Sequence, residues 1–168
     1  MVPVLFAFAL CTGAASAQSP KSGCALQPVG GTSRQLLRCQ GGLTVIAESG
    51  ARYSLVDRNK DGKVDAAKLQ SKALLLDFAA GSSGTGFQVS TPQAIAAVRG
   101  TKWAVDVAAG KTSVFVVRGA VAVQRPTGGT GVVLNPGEGV DVDQGTSALT
   151  VKRWPRARVS ALMARFGQ

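Results

Sequence analysis

The stretch "KWAVDVAAGKTSVFVVRGAVAVQ", Lys102 to Gln124, decides the fold. Trp103, Val105 and Val107 fall on alternate positions and so share one face of an extended chain. Ala-Ala-Gly-Lys then interrupts the run, "TSVFVVR" resumes it, and Val121 and Val123 alternate again on the inward side of a further strand. Outward in both directions the same grammar repeats: "LLRCQ", "LTVIA", "ARYSLV", "ALLLDF", "FQVS" and "AIAAVR" precede it, and "GVVL", "GVDV" and "LTV" follow. These runs are short, rich in β-branched residues and bounded by Gly, Asn, Asp or Pro, which predicts a meandering all-β chain. The 21 glycines fit many tight turns, since glycine takes positive φ at little cost. "RPTGGTG" (Arg125–Gly131) reads as a hairpin loop and "NPGEG" (Asn135–Gly139) as a turn; neither continues into the Lys-Ser/Thr and helix that a phosphate-binding loop requires. The expected architecture is short strands stacked as a solenoid-like roll or sandwich in a single domain of 168 residues.

The two ends differ in character. Residues 1–17, "MVPVLFAFALCTGAASA", carry no charge and run from an apolar stretch into the small-x-small pattern Ala15-Ser16-Ala17. That pattern predicts a signal peptide cleaved near Ala17/Gln18, and hence a periplasmic or secreted protein with no transmembrane helix in the mature chain. Residues 18–35 are rich in Pro, Gly and Ser and are expected to be irregular, tied down by Cys24; residues 36–152 form the β domain. At 153–168, Val159, Leu162, Met163 and Phe166 follow helical spacing after Pro155, predicting one amphipathic helix with a basic back. Lys152, Arg153, Arg156 and Arg158 cluster at its start as candidate partner-binding residues, suited to an acidic protein or an anionic membrane surface.

Composition narrows the chemistry. The chain contains no histidine, which removes Ser-His-Asp and Cys-His catalysis and imidazole metal ligands. Removal of Cys11 with the signal leaves Cys24 and Cys39, an even pair that in an exported chain points to a disulfide, the alternative being two separate thiols. Nineteen basic against nine acidic residues give +10, which attracts anionic partners; nucleic acid is not expected for an exported chain. Enzymatic function is disfavoured, and no cofactor is expected. A carboxylate-dependent hydrolase would have to use Glu138 with Asp141, both beside turns.

One motif speaks for a metal. In "DRNKDGKVD", Asp57, Asn59 and Asp61 occupy the first three ligand positions of a calcium loop, Lys63 offers its carbonyl, and Asp65 could reach through water. The twelfth position, where a bidentate carboxylate belongs, holds Lys68. Two readings stand: an Asx-rich turn between strands, or a weak Ca2+ site in a structural envelope protein.

The segment Phe87–Gln124, followed by "GVVLNPGEGVDV", resembles the FecR-type domain. The resemblance rests on Thr91-Pro92, Ala97-Val98-Arg99-Gly100-Thr101, Thr112-Ser113-Val114, Gly119-Ala120-Val121 and Pro136-Gly137-Glu138, and covers residues 87–142. It implies a rigid exported β module built for protein contact. The family's best-studied members are periplasmic parts of membrane-anchored sigma-factor regulators, with a cytoplasmic anti-sigma segment and a transmembrane helix that are not read in this sequence. Physically, Gly100 suits a bulge or a close approach, and Arg99 and Thr101 suit bonds to neighbouring carbonyls or a carboxylate, with Arg99 on a partner's carboxylate as the functional reading. The expected role is a non-catalytic interaction or sensory adaptor in the cell envelope.

Overall fold

A computed structural model describes residues 23–29, 34–79 and 86–168; the expected signal peptide lies outside these residues. Thirteen strands and one helix follow in chain order: β1 Cys24–Pro28, β2 Gln35–Cys39, β3 Leu43–Ala47, β4 Arg52–Val56, β5 Ala66–Phe78, β6 Phe87–Ser90, β7 Ile95–Val98, β8 Lys102–Ala108, β9 Lys111–Arg118, β10 Val121–Gln124, β11 Val132–Leu134, β12 Glu138–Val142, β13 Lys152–Arg153 and α1 Arg156–Ala164. The all-β expectation holds: the strands form a curled half-barrel closed by a C-terminal helix.

Strand β5 organises the molecule. Its 13 residues serve two sheets, and Lys72 takes a positive φ of 67° between them. Before Lys72, β5 pairs with β4 on one side and, in parallel, with β6 on the other; after it, β5 pairs antiparallel with β3 and β8. Sheet A therefore runs β1-β2-β3-β5-β8-β9-β12-β13, and sheet B runs β4-β5-β6-β7-β10-β11. Alternation along each strand sends Val45, Leu74, Leu76, Trp103, Val105, Val114 and Val140 of sheet A against Leu69, Val89, Ala96, Val121, Val123 and Leu134 of sheet B in one continuous core. A second, smaller cluster lies on the outer face of sheet A, where Ala73, Leu75, Ala104 and Phe115 meet Trp154, Leu162 and Phe166.

Three local outcomes differ from the sequence reading. Cys24–Pro28, expected to be irregular, is a strand in register with β2. Its first residue pairs with Cys39, and the two cysteines form the disulfide the sequence pointed to. The expected helix at 153–168 is shorter: Lys152 and Arg153 are a strand on β12, and Pro155 is the N-cap, its ψ of 146° holding the chain extended before the first turn. Leu149 and Val151 pack on the main core without joining a strand. No helix among the described residues is long and apolar enough to cross a membrane.

Candidate interaction surface

Register sorts the outer face of sheet A into three parallel rows. The first runs through Ala73, Asp106, Ser113 and Asp141, with Glu48 beside it through its N–H to the Ala73 carbonyl. The second is apolar: Ile46, Leu75, Ala104 and Phe115, ending at Gly139 and Lys152. The third is charged and mostly cationic: Arg38, Thr44, Asp77, Lys102 and Arg118. Helix α1 covers the first two. Leu162 and Phe166 are buried on the apolar row with Val159 and Met163 beside them, the stripe read from the sequence.

Arginines one helical face apart reach the acidic row. Arg158 grips Asp141 with two hydrogen bonds of 2.5 and 3.0 Å, donates to Ser113 Oγ at 3.3 Å, and lies 3.5 Å above the Trp154 ring. The other face of that aromatic pairing is a stack with Phe115 at 5.0 Å. Trp154 fits there because Gly139 has no Cβ; any side chain at 139 would collide with the indole. Arg165 bonds both Asp106 oxygens at 2.8 Å and Glu48 Oε2 at 2.5 Å. Partial burial works against ionisation of Asp141, but the bonds from Arg158 and Ser113 outweigh it and hold the carboxyl below its ordinary value. The Asp106 carboxylate, then Glu48, push the Arg165 guanidinium the other way, above the ordinary arginine range.

This arrangement corrects two expectations. Arg158 and Arg165 are not part of a solvated basic back; they are the helix's anchors, so Arg158 leaves the set of candidate partner-binding residues. Lys152, Arg153 and Arg156 remain exposed. The Arg153 guanidinium passes over Gly137, where a Cβ would approach within 2.7 Å. Sequence reading missed Lys102 and Arg118, which the β8–β9 register sets side by side on this same face.

The acids explain why the face is basic. Asp65, Asp77, Asp141 and Asp143 pair with Arg58, Arg118, Arg158 and Arg125, while Glu48 and Asp106 share Arg165. The remaining three, Asp57, Asp61 and Glu138, accept backbone N–H groups of their own turns. Every carboxylate is thus committed inside the molecule, and no described lysine has an ion-pair partner.

The motif residues knot the sheets together. Thr91 Oγ1 accepts the Ala94 N–H at 2.8 Å and bonds Thr112 Oγ1 at 2.7 Å, which donates on to Gln93 Oε1 at 2.9 Å; Pro92 sits exposed in this turn. Val98 is buried in the core. Gly100 has φ 65°, and the β8–β9 register slips just after it, between Lys102 and Trp103. Thr101 is fully buried and donates to the Ala120 carbonyl at 3.0 Å. Arg99 is exposed, with no ion pair among the described residues.

The loop 57–65 joins β4 to β5. Asp57 accepts the N–H groups of Gly62 (2.8 Å) and Asp61 (3.2 Å), Asn59 bonds Asp61 at 3.1 Å, and Asp61 accepts the Lys63 N–H at 2.8 Å. Asp65 turns instead to the Arg58 guanidinium at 3.1 Å. No cluster of three or more His, Cys, Asp or Glu able to hold a metal occurs among the described residues. Glu138 and Asp141 do not converge either: an odd spacing on β12 sends them to opposite faces.

With the geometry in place, comparison with other proteins is informative. The sequence profile of the family described as FecR protein matches residues 29–122, over half the chain. The chain belongs to the FecR family. The FecR match extends well N-terminal of the residues on which the resemblance was read, so β2–β5 are part of the family's domain, while β11, β12, β13 and α1 lie beyond the match. Two crystal structures of a candidate anti-sigma factor from Parabacteroides distasonis ATCC 8503, at 1.65 and 2.50 Å resolution, share the fold with TM-scores of 0.62 and 0.63. Identity is 20% and 19%; the alignments cover 77% and 83% of this FecR chain but 60% and 64% of those chains. No curated protein sequence matches it.

Proposed function

We propose that this FecR-family chain is a periplasmic, non-catalytic regulatory adaptor that recognises an acidic protein partner through the basic strip beside α1. Family membership supports a regulatory module, and the likeness in fold to an anti-sigma-factor candidate is consistent with it. The observation that carries the reading is the commitment of all nine carboxylates to internal bonds, which leaves Lys152, Arg153 and Arg156 uncompensated, with Lys102 on the same outer face of sheet A as Lys152. A surface of this kind steers an acidic partner and weakens with salt. Export rests on the residues at 1–17, and N-terminal sequencing of the periplasmic form should begin near Gln18.

The test is in-cell photocrosslinking from position 157, the exposed alanine next to Arg156, with identification of the captured protein. Capture should be confined to the periplasm, yield an acidic protein, and fall at least about tenfold when Lys152, Arg153 and Arg156 are replaced by serine. Affinity of the purified pair should drop between about 50 and 300 mM salt. Capture that ignores both changes rejects the basic strip. Capture of lipid in place of protein would make the surface a membrane contact.

A further inference from the structure

The ladder between β12 and the returning chain is short. Antiparallel pairing joins Glu138 to Arg153 and Gly139 to Lys152 and reaches no further back, although Leu149 and Val151 still alternate inward onto the main core. Residues 148–151 therefore run extended beside β12 without pairing to it. Arg125 accounts for the departure: from just beyond β10 it donates to the carbonyls of Asp143 and Ser147 at 2.5 and 3.0 Å and holds the preceding loop away from β12. Parity then fixes where the main chain points. The Trp154 N–H turns inward to the Gly137 carbonyl, so Lys152 and Thr150 also direct their main-chain groups toward β12, and Arg153, Val151 and Leu149 direct theirs away from it. No described group bonds the main chain of Leu149 or Val151. Donors and acceptors spaced in this way along a sheet edge are a template for another strand.

We propose that this edge takes an extended acidic segment of the protein partner by strand addition, so that the partner's backbone continues sheet A beyond β13. The inference rests on the basic strip proposed above and specifies how that strip is engaged. Unpaired N–H and C=O groups on the edge call for an occupant with free main-chain groups of its own, which a helix does not offer and an extended peptide does. Charge selects among extended chains. Lys152 and Arg153 stand on the edge itself and Arg156 at the start of α1, all exposed and without an ion pair among the described residues. If two copies of this chain paired through the edge, these cations would face their own counterparts; aspartates or glutamates on an incoming strand face them with opposite charge. The edge is also held in readiness, because Leu149 and Val151 anchor it in the core and Arg125 fixes its base, so binding has little of it left to order.

Titration of the purified chain with a peptide of about seven residues that alternates glutamate and threonine tests the proposal, beside the same peptide with lysine in place of glutamate. The acidic peptide should bind with a dissociation constant below about 1 mM, weaken between about 50 and 300 mM salt, and slow amide exchange at Val151 and Arg153; the lysine peptide should not bind. Replacing the main-chain N–H of Val151 by an ester oxygen deletes one edge donor and keeps the side chain. That change should weaken the acidic peptide about fivefold with an unchanged melt, while the same replacement at Thr150, which faces β12, should leave affinity as it was. Binding that responds to salt and to serine at Lys152, Arg153 and Arg156 but ignores the Val151 ester overturns strand addition and leaves the basic strip standing. Binding that ignores salt and the serine changes removes the basic strip and this proposal with it. An acidic peptide that fails to bind at about 1 mM also overturns strand addition.

Discussion

Asp141 lies between Val140 and Val142, and a charged residue at that parity must point away from the core. The sequence thus shows that Asp141, like Asp106 between Val105 and Val107, faces outward. It does not show what they face, because that depends on a register fixed by strands far apart in the chain and on a helix arriving later still. The native carboxyl of Asp141 is held below its ordinary value of 3.8, so its contribution to stability is complete above that value and is lost as pH falls through the lower native one. With both partners of the ion pair more than a third exposed, that contribution is about 1 kcal/mol after solvent screening. Asp141→Asn should cost that amount at pH 7 in urea unfolding, and the gap between wild type and variant should narrow as pH falls below the ordinary carboxylate range. A gap independent of pH would detach the effect from ionisation.

At the scale of elements, strands were far more legible than ends. Alternation marked nearly every strand of the core, since burial between two sheets imposes a period of two on each. The β1 strand was hidden by its Pro and Gly neighbours; what holds it is pairing with β2 and the disulfide, neither of them a local signal. The helix was found by its apolar stripe, but the roles of its arginines were inverted, because a stripe says which side is buried and not which flanking charges meet acids. The loop between β4 and β5 is the opposite case: local chemistry alone accounts for it. Asp57, Asn59 and Asp61 use their oxygens on the loop's own N–H groups, and Asp65 belongs to Arg58. Thermal melts in about 1 mM calcium and in chelator should therefore superimpose. A shift in calcium that disappears in Asp61→Ala would restore the loop as a metal site.

For the whole molecule, composition shows a basic, histidine-free chain, and the structure explains how the charge is distributed. Carboxylates are spent on fastening α1, the loops and the turns, and the surplus of cations is left outside. The candidate contact residues Lys152, Arg153 and Arg156 were legible from their clustering; Lys102 and Arg118 were not, as they become neighbours only through the slipped register of β8 and β9.

The bend at Lys72 has one more implication. A single ribbon of chain stitches both halves of the barrel, so neither half has a complete hydrogen-bonded margin without the other. Melting should then be all-or-none, and in native-state hydrogen exchange the amides of Leu74 and Leu76 should open only with the entire protein, at its global unfolding free energy. Faster opening there than in β9 would mean that the seam gives way before the cloth.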